Sequence, residues 1–341
     1  MKTLRNLLGL IAMAAILATS GCSKKEEYKI GFSLGPVHDR WQRDLEYFTS
    51  KVEAMGGEVI VREAEGDNMT QYEQAEELIN SGIQVLVIVP EGSKQAAKVV
   101  EKAHQKGVKV IAYDRIIKNC DLDYYISFDN VKVGEMQAEF LSRSCPKGKY
   151  AILGGSPDDN NSFLLNLGQR NVLQPLIDKG DVKVVLEEYV DKWDEDEAFK
   201  IMDKFLHDGN HVDAVIASND PLANGVFRAL EKHNLAGKVY LSGQDAEVTA
   251  CKRIARGQQT MTVYKIIESL ATTAAISAMK MAKGSELLNT QLTINNGKKM
   301  VPAILLPSMY VVHRENIRMT VVADGYIDER EIFSAAGTPL K

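Results

Sequence analysis

Seven short polar clusters punctuate a chain of 341 residues: Asp39-Arg40-Trp41, Asp114-Arg115, Asp158-Asp159-Asn160-Asn161, Asp191-Lys192-Trp193, Ser218-Asn219-Asp220, Gly243-Gln244-Asp245 and Tyr264-Lys265. They combine carboxylates, amides, cations and both tryptophans of the protein. A polyhydroxylated ring asks for this mixture. Its C–H faces stack on flat aromatic rings. Its hydroxyls, each a donor and an acceptor, suit carboxylates, amides and guanidinium forks. A buried site of this kind rejects analogues lacking one hydroxyl, because its own polar groups are then left unpaired.

Each cluster also has a structural reading. Asp114-Arg115 ends the apolar stretch Val108–Tyr113, and the pair reads equally as a local salt bridge closing a loop. Trp41 reads also as a core residue of its helix. Trp193 precedes Asp194, a helix cap, and reads also as surface packing. Asp220-Pro221 has the form of an N-cap followed by proline at the first helical position, so Asp220 is assigned to structure and Asn219 to the ligand. Lys265 reads also as a solvated residue at a helix start, and Asp158 as a turn residue.

Signals for catalysis are weak. There is no G-x-G-x-x-G after the first strand, no P-loop, no H-E-x-x-H and no G-x-S-x-G. Gly154-Gly155-Ser156-Pro157 lacks the Lys-Ser/Thr of a phosphate cradle, and Asp191–Glu197 lacks the glycine and ligand spacing of a calcium loop. The six histidines are scattered and form no ligand pair. No cofactor or metal is expected, and the reading is of a binding protein rather than an enzyme.

The elements that position these clusters alternate. Strands are predicted at Tyr28–Ser33, Glu58–Arg62, Val85–Val89 and Val108–Arg115, with helices at Arg40–Met55, Thr70–Asn80 and from a capping Ser93 to about Gln105. Trp41, Leu45, Phe48, Val52 and Met55 fall at helical spacing. The pattern repeats after Tyr124–Phe128 and continues to Tyr310–Val312, the signature of parallel sheets with crossover helices. In such sheets ligands sit beyond the carboxyl ends of the strands, where the clusters fall. The expected fold is α/β with two lobes of about equal size. The crossings between lobes are expected near Ile126–Val131, Met261–Lys265 and Leu305–Tyr310, leaving a ligand cleft between the lobes.

Composition sets the class. Apolar residues make up 45% and charged residues 26% of the chain, as in soluble globular proteins. The net charge of −5 and the lack of a basic stripe argue against nucleic acid. Lys2 and Arg5 precede an apolar run from Leu7 to Leu17, too short to span a bilayer and suited to a secretory leader. Ala18-Thr19-Ser20-Gly21-Cys22 resembles a lipoprotein cleavage box, with Thr19 where Leu is usual. A leader over 1–21, lipid on Cys22 and a tether over 22–27 are expected. Ordinary cleavage nearby, with Cys22 spare, is the other reading. Cys120, Cys145 and Cys251 then remain, an odd number that fits neither a disulfide framework nor a metal site.

Longer stretches add a resemblance. They include Arg40-Trp41-Gln42, Val85-Leu86-Val87-Ile88, Ala112-Tyr113-Asp114-Arg115 and Tyr125-Ile126-Ser127-Phe128-Asp129-Asn130. They continue through Gly154-Gly155-Ser156-Pro157, Asp159-Asn160-Asn161, Ala217-Ser218-Asn219-Asp220, Ser242-Gly243-Gln244-Asp245-Ala246 and Gln259–Lys265. From Lys29 to about Asp324 the chain resembles the D-xylose-binding family of ribose/galactose-type, type I periplasmic sugar-binding proteins. The resemblance implies two Rossmann-like lobes, 28–130 plus 266–306 and 131–265 plus 307–341, joined by three hinge crossings. It implies that Arg40, Asp114, Arg115, Asp159, Asn161, Asn219, Asp245 and Lys265 hydrogen-bond one sugar, with Trp41 and Trp193 stacked on its faces. The sugar would be D-xylose or a similar aldopentose or aldohexose. A monomer tethered to a membrane in the periplasm would pass it to an ABC transporter permease, or present it to a membrane sensor. The loop Gly35-Pro36-Val37-His38-Asp39 departs from the family's more charged run, so sugar class is better determined than sugar identity. A sugar dehydrogenase would need the missing nucleotide fingerprint. A transcriptional regulator would need a helix-turn-helix where the leader stands.

Overall fold

A computed structural model describes residues 27–36, 39–287 and 292–333. Cys22, the leader, most of the tether and Val37-His38 lie outside them.

The apolar runs form parallel strands. β1 (Tyr28–Leu34), β2 (Gly57–Glu63), β3 (Val85–Val89), β4 (Lys109–Tyr113) and β5 (Tyr124–Phe128) alternate with α1 (Asp39–Ala54), α2 (Asn68–Asn80) and α3 (Ser93–Gln105). β11 (Thr293–Asn295) and β12 (Met300–Leu306) complete a seven-stranded sheet of order β11-β12-β5-β4-β3-β1-β2. All its neighbours are parallel except the β11–β12 hairpin. Both faces are covered, which is why β3 is apolar at every position. Val85, Val87 and Val89 join the cluster beneath α1, while Leu86 and Ile88 join the one beneath α2 and α3.

The second unit winds the same way. α4 (Asn130–Ser144), β6 (Gly148–Gly154), α5 (Asn160–Asp178), β7 (Val182–Tyr189), α6 (Glu195–His207), β8 (Ala214–Ala217), α7 (Asp220–Lys232) and β9 (Tyr240–Leu241) build a parallel sheet of order β7-β6-β8-β9. Both sheets reverse direction around their first strand, and such a switch point opens a crevice at the carboxyl ends. α8 (Val248–Ala255) follows, then β10 (Thr262–Lys265), which pairs antiparallel with β13 (Met309–Val312). Between β10 and β11 runs α9 (Ile267–Ala282), packed on α1. The chain passes between the two units at 128–130, 265–267 and 306–309.

Among the described residues the core has three apolar clusters. The largest runs through both sheets, the second lies on the other face of the seven-stranded sheet, and the third joins α8 to Val312, Ile317 and Ile327. Cys145, Cys120 and Cys251 sit one in each, in that order, all buried and free.

Several local expectations change. Ser93 is the first residue of α3 rather than its cap: Gly92 caps without a side chain, and the Ser93 hydroxyl accepts from the Lys118 amide at 2.8 Å. β4 stops at Tyr113, and Asp114 leaves it with φ +62°. The cap of α7 is Asn219, not Asp220; the Asn219 Oδ1 accepts from the Leu222 amide at 3.0 Å. Four elements were not expected: β11, two 3₁₀ turns at Asp191–Trp193 and Ile317–Met319, and a final helix, α10 (Glu329–Phe333).

Candidate functional site

Each expected site residue stands at a strand exit or a helix start, and these ends face each other across one gap. Arg40, Trp41, Arg115, Asn161, Trp193, Asn219, Asp245 and Lys265 line it. Asp114 reaches it through Arg40 and Asn161. Asp159 binds Arg115 at its mouth. The ten come from separate segments between residues 40 and 265, and the structure brings all of them together.

The wall from the seven-stranded sheet is organised by Arg40, which is only 7% exposed. Its three nitrogens address three carboxylates. Nε donates to Asp44 Oδ2 at 3.3 Å, Nη2 to Asp114 Oδ2 at 2.7 Å and Nη1 to Asp245 Oδ1 at 3.2 Å. Burial would lower the guanidinium's affinity for its proton, but these carboxylates outweigh that and raise it. Burial likewise opposes ionisation of Asp114, yet Arg40 and Lys265 hold its carboxyl below the usual range. The left-handed backbone at Asp114 is held in place by its neighbours: its N–H donates to Ile126 O, and its carbonyl accepts from Tyr125 Oη and Ser127 Oγ. Such conformations persist where the surroundings over-determine them. Behind Arg40, Asp44 is fully buried and accepts from Tyr113 Oη. Burial pushes the Asp44 carboxyl up to about 6, against the pull of Arg40.

The opposite wall comes from β6, β8, β9 and β10. Asp159 caps α5 through the Asn161 amide at 2.9 Å and takes Arg115 Nε at 3.0 Å across the gap. Burial raises its carboxyl despite Arg115. Asn161 Nδ2 also crosses, donating to Asp114 O and Oδ1 at 3.2 Å each. Asp245 accepts Lys265 Nζ at 2.9 Å as well as Arg40. Burial resists its charge, but Lys265 and Arg40 keep its carboxyl below the usual range. Lys265 is 3% exposed, so it is not a solvated helix-start residue. Glutamine amides register the strand ends: Gln137 Nε2 donates to Ala217, Ser218 and Gly243 carbonyls, and Gln169 Nε2 donates to Gln137.

Both indoles are buried and reach the gap, at 4% exposed for Trp41 and 6% for Trp193. Trp41 belongs to the core and to the wall at once; the Arg40 guanidinium lies 4.4 Å from its ring centre. Trp193 sits in the 3₁₀ turn with φ +59°, its ring against Gly155, where any Cβ would collide with it. Asn130, Leu165 and Gln244 also line the gap and were not among the expected ligand residues. Gln244 stood inside a polar cluster of the sequence. Asn130 follows Asp129, the cap of α4, and its position at a strand exit was the available signal.

Trp41 Nε1 on one wall, and Asn161 Oδ1 and Gln244 Oε1 on the other, are buried without a partner among the described residues. Unpaired buried groups are uncommon in native proteins, and these three belong to side chains that line the gap. Among the described residues no group of three or more His, Cys, Asp or Glu side chains could hold a metal.

The periplasmic binding protein domain family matches residues 30–286. The D-xylose-binding periplasmic protein of Escherichia coli K12 is 45% identical over 331 residues, covering 96% of this chain and 99% of the relative. The protein of the same name from Haemophilus influenzae is 45% identical over 335 residues, covering 98% and 100%. An ABC transporter solute-binding protein from Clostridium phytofermentans, solved with bound β-D-glucose, superposes with a TM-score of 0.82 at 29% identity, covering 89% of this chain and 99% of the other. The chain belongs to the periplasmic binding protein family, as a sugar-binding member homologous to D-xylose-binding proteins along nearly its whole length.

Proposed function

We propose that the protein captures D-xylose, or a closely similar aldopentose or aldohexose, by closure of two lobes and delivers it to an ABC transporter. The lobes would be 28–130 plus 266–306 and 131–265 plus 307–341. The ten residues from Arg40 to Lys265 would hold the sugar, eight by hydrogen bonds and the two indoles by stacking. The observation that carries this reading is the set of side chains reaching across the gap. Arg40 bonds Asp245, Arg115 bonds Asp159 and Asn161 bonds Asp114. A ligand that engages both walls stabilises the closed arrangement through contacts the open one lacks. The chemistry is binding without bond making.

Calorimetric titration with D-xylose, D-ribose, D-glucose and D-galactose tests it. D-Xylose is expected to bind most tightly, and no heat with any of the four would reject the reading. We propose further that the leader over 1–21 is removed and that Cys22 carries the lipid that tethers the protein in the periplasm. Metabolic labelling with palmitate should mark the chain, and Cys22→Ser should abolish the label.

A further inference from the structure

Asp220 does not line the gap, yet three segments that carry gap residues converge on it. Its side chain is fully buried. Oδ2 accepts from the Glu247 amide at 2.9 Å and from Thr262 Oγ1 at 2.9 Å. Oδ1 accepts from Gln259 Nε2 at 3.2 Å. The Asp220 amide donates to Gln244 O at 2.9 Å. Asn219 precedes it directly, Asp245 lies two residues before Glu247, and Lys265 lies three after Thr262. Gly243 packs so closely that a Cβ there would collide with Oδ1. The carboxylate is therefore the common anchor of the start of α7, the loop after β9 and the strand β10.

All three side-chain or amide partners act as donors, so the anchor works as an anion. A proton on Oδ1 would face the Gln259 Nε2–H. Gln259 is held in that orientation by Arg253, whose Nε and Nη2 donate to its Oε1 at 3.0 and 2.8 Å. A proton on Oδ2 would face the Glu247 N–H and could be accepted only by turning the Thr262 hydroxyl. The charged and titratable groups around Asp220 are Arg253 and Cys251 on α8, and Asp245 and Glu247 in the loop after β9. The cation Arg253 reaches it through Gln259.

We infer that Asp220 is a positioning residue: its ionised carboxylate holds Asn219, Asp245 and Lys265 in register, and protonating it loosens that register, so that sugar affinity falls on acidification. The inference rests on the sugar-binding reading. Burial supports a transition in an accessible range, since it pushes the carboxyl up to about 7 against the Glu247 amide and Arg253.

The test is titration of the full-length chain with D-xylose by calorimetry between pH 5.5 and 8.5, where this sugar does not ionise. The dissociation constant should rise about tenfold from the alkaline to the acid end, with an inflection near neutrality. Asp220→Asn should bind at least tenfold more weakly than wild type at pH 8 and lose that inflection. Asp44 across the gap titrates lower, and its contribution should persist in this variant. Should Asp220→Asn not fold, Thr262→Val removes one donor to the carboxylate and should move the inflection to higher pH. A flat wild-type profile, an inflection unchanged in Asp220→Asn, or one unmoved in Thr262→Val would overturn the inference while leaving sugar binding intact. A folded wild type that binds none of the four sugars at any pH would overturn both.

Discussion

The two walls of the gap solve the same problem with different chemistry. On the side of the seven-stranded sheet, position is set by charge against charge: Arg40 is shared among Asp44, Asp114 and Asp245, with Tyr113 behind. On the side of the four-stranded sheet, position is set by amides grouped around one carboxylate: Gln137 and Gln169 tie strand ends and helix starts to one another, and Gln259 donates to Asp220. Removing a neutral hydrogen-bonding group costs one net bond, whereas removing a buried ion leaves its partners charged and uncompensated. The first wall should therefore be the more brittle, and the second, Asp220 apart, more tolerant of single changes.

Substitutions can break or sharpen that contrast. The largest effect is expected for Arg40→Ala, which strands three carboxylates; urea denaturation should show a loss of about 3–5 kcal/mol, and D-xylose binding should disappear. Arg115→Ala removes a cation that joins the walls through Asp159; calorimetry should show binding weakened by ~1.5–3 kcal/mol, the range for a charged hydrogen bond. Gly155→Ala tests the aromatic part, because the new methyl group meets the Trp193 ring. Overpacking of this kind costs about 1–3 kcal/mol, visible as a lower melting temperature with weaker sugar binding. The smallest effect is a pH slope. The Asp44 carboxyl is raised by burial to about 6 in the folded protein from an ordinary 3.8. Between those values the folded state binds more protons than the unfolded one, so stability should fall as pH rises through that window. The slope for this group cannot exceed about 1.4 kcal/mol per pH unit. Asp44→Asn should remove it, and equal slopes in variant and wild type would count against charge as the organising term of that wall.

What could be read from the chain and what could not divide along physical lines. Strands such as Val85–Val89 were legible because a fully buried parallel strand has no polar position. The gap residues were legible because strand exits are where polar groups collect in a sheet otherwise covered on both faces. Local pattern failed where the deciding partner is distant in sequence. Ser93 reads as a cap until Lys118 takes its hydroxyl. Asp220 reads as a cap until Gln259 and Thr262 occupy its carboxylate, which leaves Asn219 to cap α7. The hairpin of β11 and β12 was missed although Asn296-Gly297 stands at its turn, a dipeptide strongly favoured in tight hairpins. The roles of Gln137 and Gln169 lie wholly in tertiary contacts, and nothing in their flanking residues marks them.

The free thiols described with the core have a practical use. Cys120, Cys145 and Cys251 each sit in a different apolar cluster, and burial raises all three, Cys120 to about 11. A thiol reacts as its thiolate and only when reached, so alkylating reagents must wait for the surrounding cluster to open. Reading the modification of each cysteine by peptide mass would time three sub-global openings in one experiment. The native chain thus carries its own clocks for asking whether a sugar quiets one part of the molecule or all of it.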